Sequence, residues 1–326
     1  MSLSLTKLQK QLCNLLQSGL PTCSRPFAEI AKSLNTNEQE ILHQTDELKK
    51  AGVIRRLGVV INYRALGLIS TLVAAHVPED DLHEIAKAVN SLENVSHNYL
   101  RKHRYNLWFT LQAESAEQIK VILSKLSARF GIDFHSLPVE HVFKLDVRFD
   151  AESEGELLLQ DVEKAEKCET VQLNNEQKSI LAKLQNDLEV IAKPFNFLCS
   201  KDLREKEVFR IITELIDKGV IRRIRAIVDH RKLGFAANVL FASKVSEDKI
   251  VEAGKRLACF GIVSHCYGRR PLKDWPYNLL GMMHGKNMGQ IQHIINKFVE
   301  AEGIESFELL PTALELKKEP IKGFLE

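Results

Sequence analysis

Short stretches of this chain recur once, in unchanged order, and that duplication limits the fold more than any other feature. Ala51-Gly-Val-Ile-Arg-Arg56 returns as Lys218-Gly-Val-Ile-Arg-Arg223, and Val95-Ser-His-Asn-Tyr99 as Val263-Ser-His-Cys-Tyr267. Tyr105-Asn-Leu107 returns as Tyr277-Asn-Leu279, and Leu137-Pro138 as Leu310-Pro311. The spacing far exceeds the roughly 20–50 residues of solenoid repeats, so the unit is a two-part module present in two copies. The acidic stretch 150–171, poor in aromatic residues, reads as the connector.

Each copy begins with helices. Leu5, Leu8, Leu12, Leu15 and Leu16 fall at spacings of three and four, which buries one helical face. Pro26 opens a second helix, Asn35-Thr36-Asn37 gives a turn with a capping residue, and Gly52 ends a third helix. Residues 53–61 then read as a β-wing, which completes a winged helix-turn-helix over 1–67. The same order returns over 172–234, with Pro194 opening its short helix. Beyond Gly67 and Gly234 the pattern becomes strand-helix-strand-strand-helix-strand, over 68–149 and again over 235–326. That is the ferredoxin-like split βαβ arrangement. The predicted fold is therefore α+β, a tandem repeat of winged helix-turn-helix plus ferredoxin-like βαββαβ domain.

Charge and cysteine usage narrow the function. The formal net charge is only +2, whereas a dedicated nucleic-acid binder carries a clearly basic domain. The third helix of the first copy starts with Glu38 and Glu40, and the matching helix of the second carries Asp202, Glu205, Glu207, Glu214 and Asp217. Acids at a helix N-terminus suit its dipole but repel phosphate, so DNA is not the expected partner. The six cysteines are scattered singly with no metal-binding spacing. The N-terminus is amphipathic, and no stretch approaches a membrane span. A reduced, cytoplasmic protein with structural thiols is expected.

Winged helix followed by ferredoxin-like domain resembles the Lrp/AsnC superfamily, twice over. Val95-Ser-His-Asn-Tyr-Leu-Arg-Lys-His-Arg-Tyr-Asn-Leu107 resembles the hairpin of siroheme decarboxylases, the AhbA/AhbB and NirD/NirL group. Val263-Ser-His-Cys-Tyr-Gly-Arg269 with Tyr277-Asn-Leu279 and Met283-His-Gly285 resembles it more closely still. A fused pair of such units looks like the NirDL arrangement. The resemblance implies siroheme as the partner and substrate, with two acetate arms converted to methyl groups to give didecarboxysiroheme in haem or haem d1 synthesis. It implies no cofactor beyond that iron tetrapyrrole. The two halves are expected to pair as a pseudo-heterodimer, and a further homodimer is left open. The alternatives are an Lrp/AsnC-type regulator and a tetrapyrrole sensor without catalysis.

Such a reaction needs cationic forks for spectator carboxylates and an acid working near neutrality, roles suited to Arg and His. Strand alternation puts His97, Tyr99 and Arg101 on one face, and His265, Tyr267 and Arg269 on the matching face. A solvated strand face would carry similar residues, and the resemblance is what favours a site. His97, His265, Arg269 and Tyr267 are the expected catalytic residues. Arg101, Tyr99, His103, Arg104, Arg270, Trp275, Tyr277, Asn278 and His284 are the expected substrate contacts. The longer turn of the second hairpin, with Trp275, is expected to cover a face of the macrocycle. His97 or His265 could instead ligate the substrate iron.

Overall fold

The computed structural model describes residues 4–145, 148–152 and 170–321, so most of the acidic connector lies outside the described residues. In the first half α1 (Lys7–Ser18) opens on a capping box between Thr6 and Gln9. Then come α2 (Pro26–Ser33), α3 (Glu38–Lys50, capped by Asn37) and β1 (Ile54–Ile61). The second domain of this half holds β2 (Ile69–Ala75), α4 (Leu82–Asn90), β3 (Val95–Arg101), β4 (Leu107–Ala113), α5 (Ala116–Phe130) and β5 (Phe134–Leu145).

The second half repeats this with α6 (Asn175–Leu184), α7 (Glu205–Asp217) and β6 (Ile221–Val228). It continues with β7 (Ala237–Ser243), α8 (Ile250–Cys259), β8 (Val263–Arg269), β9 (Leu279–Gly285), α9 (Met288–Glu302) and β10 (Phe307–Lys318). Where the first half has α2, the second has only a 3-10 turn, Asn196–Leu198. Phe195 and Leu198 bury themselves there while Phe197 is exposed, and no apolar residue extends the stripe for another turn.

The wings do not fold back on themselves. β1 pairs antiparallel with β6 of the other half, in a register that sets Leu57 opposite Ala226. The two helical units accordingly share one core, running from Leu12 and Phe27 to Ile212 and Ile224. Each ferredoxin-like sheet has the antiparallel order β5-β2-β4-β3, or β10-β7-β9-β8, with its two helices on one face.

The last strand of each half belongs to both sheets. Residues 134–138 pair with β2, and from Val139 onward β5 pairs with β8 of the other half. β10 likewise leaves β7 after Pro311 and runs along β3. The repeated Leu-Pro word marks this crossover, where proline can sit because it has no N–H to give to a ladder. Each hairpin edge is thereby covered by the other half, which removes an open edge. β5 also carries Phe143 onto Gly254 of α8, where an added Cβ would lie 2.3 Å from the ring. Between the two sheets lies a fourth core of Trp108, Trp275, Tyr105, Leu240, Leu280 and their neighbours.

Candidate functional site

The two hairpins present the same three side chains on the same face, towards the gap between the sheets. The His97 and Tyr99 rings stack at 6.2 Å, with the Arg101 guanidinium 5.4 Å from the Tyr99 ring. His265 and Tyr267 stack at 6.2 Å, with Arg269 4.8 Å from the Tyr267 ring. Each arginine is buried and reaches across to the other half. Arg101 Nη1 donates to the Leu310 carbonyl at 3.0 Å, and Arg269 Nη1 to the Leu137 carbonyl at 2.6 Å. Both acceptors directly precede the crossover prolines.

A β-bulge shapes each site. The register slips between Val95 and His97, and between Val263 and His265. The extra residue is a serine in both cases, held against its histidine. Ser96 Oγ lies 2.9 Å from His97 Nδ1, and Ser264 Oγ 3.0 Å from His265 Nδ1.

Across the neighbouring strand the two sites diverge. His97 faces Lys318 and Tyr99 faces Glu315, whereas His265 faces Leu145 and Tyr267 faces Val142. The wings and the segments that follow them add arginines, one from each half to each site. Arg55 and Arg231 lie near the Tyr99 phenol, and Arg222 and Arg64 near that of Tyr267. Arg55 is taken up by acids, 2.6 Å from Glu315 and 3.1 Å from Asp229. Arg222 instead donates at 3.2 Å to the neutral Asn62, which stands where the first site has Asp229. Two carboxylates thus line the Tyr99 site, and their counterparts beside Tyr267 are an amide and a valine.

Burial governs the titration of these groups. It holds the His97 imidazole down to about 4, with Lys318 adding to the effect. His265 is held at about 3 by burial, and then by His97, Arg225, Lys318 and Arg222. Burial lowers Arg101 and Arg269 to about 10 each, which leaves both charged. It raises both phenols, helped by Glu315 at Tyr99 and opposed by Arg269, Arg222 and Arg64 at Tyr267. His230 is held at about 4, and His284 well below its usual value, burial again first in each case.

Four imidazoles kept neutral in the fold but free to charge in the unfolded chain tie stability to pH. Their contribution is complete above about pH 6.5 and is lost as the pH falls, since only the unfolded state then gains protons. Each imidazole adds a slope of about 1.4 kcal/mol per pH unit between 6.5 and its folded value. The urea midpoint is expected to drop steadily from pH 6.5 to 4.5. A flat midpoint over that range would show that these rings charge freely in the native protein.

Several residues expected at the site lie elsewhere. Trp275 is 2% exposed and packs edge-on to Tyr277, His103 and Tyr105, with its ring tilted on Trp108, so it fills the core between the sheets. The turn folds in between the sheets because its indole finds apolar partners there. His103 pairs with Glu308 at 2.6 Å, and the Tyr277 hydroxyl donates to the same carboxylate. Arg104 pairs with Asp274 and Arg270 with Glu140. Asn278 clips the backbone of Val245, as Asn106 clips Val77. These residues hold the turns. His284 lies behind Ser264, its Nε2 2.9 Å from the hydroxyl, packed against Phe149 and His230.

The wing arginines and Lys318 escaped the sequence reading. The signal was present, since Arg55 and Arg222 belong to a repeated word and Arg64 and Arg231 follow matched positions. Among the described residues no group of His, Cys, Asp and Glu is arranged to hold a metal ion, and no helix is long and apolar enough to cross a membrane.

Comparison with known proteins gives the frame for this geometry. A family profile described as AsnC-like ligand binding domain matches residues 65–144 and 232–317. A second, described as siroheme decarboxylase NirDL-like HTH domain, matches residues 9–55. The chain is 33% identical over 321 residues to a siroheme decarboxylase of Hydrogenobacter thermophilus, covering 97% of this chain and 95% of the relative. It is 29% identical to a siroheme decarboxylase NirDL subunit of Paracoccus denitrificans, covering 95% and 93%. A crystal structure of the siroheme decarboxylase NirDL superimposes with a TM-score of 0.71 at 29% identity, covering 96% of this chain and 93% of that one. The same enzyme in complex with an iron-uroporphyrin III analogue gives 0.70. With the likeness running over nearly the whole length, the chain belongs to the siroheme decarboxylase family, in its fused NirDL-like form within the Lrp/AsnC superfamily.

Proposed function

We propose that this protein is a carboxy-lyase that removes two acetate carboxyl groups from siroheme, and that the recess of the second half, around His265, Tyr267 and Arg269, is where it does so. One observation carries the choice of recess. A ligand with eight carboxylate arms is repelled by Glu315 and Asp229 beside Tyr99, whereas the matching described positions beside Tyr267 are Val142 and Asn62. There Arg269, Arg222 and Arg64 offer cationic forks. Among the described residues the Arg269 guanidinium makes one hydrogen bond, which leaves most of its donors for a ligand carboxylate.

Each arm exchanges a C–CO2 bond for a C–H bond: one proton enters, one CO2 leaves, and no electrons pass to an acceptor. His265 is the proton donor in this reading. Burial, and then the surrounding cations, hold its pKa low; ligand carboxylates offset the cationic part and favour the charged ring once substrate is in place. Arg269, Arg222 and Arg64 hold the spectator arms, and Tyr267 steadies the ring plane. The product is didecarboxysiroheme, on the way to haem or haem d1.

The test is anaerobic incubation of purified protein with siroheme, followed by product mass. Loss of two CO2 units supports the reading. An unchanged mass with a bound tetrapyrrole spectrum makes the protein a binder and overturns it.

A further inference from the structure

We propose that the Ser264 hydroxyl, backed by His284, is a positioning group that keeps His265 protonated on Nδ1 and so makes its Nε2 the proton-exchanging atom. The inference rests on the reading of His265 as the acid.

A hydroxyl has one proton and two lone pairs, and three partners surround that of Ser264. His265 Nδ1 lies at 3.0 Å, His284 Nε2 at 2.9 Å and the Met282 carbonyl at 3.2 Å. The carbonyl can only accept. His284 Nδ1 is buried with no partner, and a buried orphan N–H is rarer than an orphan lone pair. That places the His284 proton on Nε2, where it donates to Ser264. The hydroxyl then gives its proton to Met282, and its second lone pair takes the N–H of His265 Nδ1. All three valences are filled.

This arrangement is the same for imidazolium His265 and for the neutral ring left after Nε2 gives up its proton. Proton delivery therefore requires no rearrangement behind the ring. Among the described residues the matched Ser96 has one side-chain partner, His97 Nδ1. Where His284 would stand, the first half has Gln112, whose buried Oε1 is without a partner. Among the described residues the network is built in the second half, where an amide and a valine stand at the positions of Asp229 and Glu315. The titratable and charged groups facing it are His97, His230, Lys318, Arg101, Arg222 and Arg225.

Ser264→Ala removes the acceptor without touching the ligand. Its kcat is expected to fall by about tenfold with KM unchanged, and the alkaline limb of the kcat profile to move down by about one pH unit. His284→Gln, which keeps an amide N–H for the Ser264 hydroxyl, should retain most of the wild-type kcat. Nitrogen chemical shifts of histidine-labelled, substrate-free protein read the tautomer directly. Wild type should show His265 protonated on Nδ1, and Ser264→Ala a shift towards Nε2. An unmoved limb or an unmoved tautomer overturns the inference. Because the tautomer is read without substrate, it decides this point even if siroheme is not turned over.

Discussion

His265→Ala is expected to lower kcat for decarboxylation by about 10²- to 10⁴-fold, the usual worth of a positioned general acid. The ring fits that role on three counts. Its Nδ1 is engaged by Ser264, so Nε2 is the nitrogen left for a ligand. It stacks beside Tyr267 on the face that carries Arg269. Its neutral state arises from burial and then from surrounding cations, and a carboxylate-rich ligand offsets the second of these. Loss of the acid should appear in kcat far more than in KM, since spectator arms are held by arginine. Arg269→Ala should show the opposite balance, with a raised KM. Steady-state kinetics of the two variants, each with its denaturation midpoint, separate these effects. Wild-type turnover in both would remove the second recess from consideration.

Trp275→Ala is expected to cost about 3–5 kcal/mol of stability, the range for emptying a large aromatic from a core. The indole touches residues of both halves: Trp108, Tyr105 and His103 from one, and Tyr277 from its own. Its removal opens a cavity where the two sheets meet, and the rings around it are too constrained by their own bonds to close the gap. Tyr105 is tied to Asp274 and His103 to Glu308. The loss should appear in the urea midpoint, while KM of the folded protein stays at the wild-type value. A raised KM with an unchanged midpoint would return Trp275 to the ligand.

The contrast between these two residues shows where sequence reading succeeds. His265, Tyr267 and Arg269 alternate along a strand, and alternation alone puts them on one face. Trp275 lies in a turn, where no period says which way a side chain goes. A longer turn with an indole suggested a cover for a flat ligand, but apolar contacts between the sheets claim it instead. His284 was legible as a strand residue near the site, yet only the bulge at Ser264 puts a hydroxyl between it and His265.

From the sequence alone came the duplication, the order of helices and strands in each copy, and the face of each hairpin that carries His, Tyr and Arg. All of these are periods or words within a few residues of one another. The tertiary structure decided that the wings pair with each other, that β5 and β10 each finish in the other half's sheet, and that two acids stand in one recess where the matching positions of its twin carry an amide and a valine. Such pairings join residues more than a hundred positions apart, and their energy lies in edges covered and charges brought together. Nothing local in the chain records them.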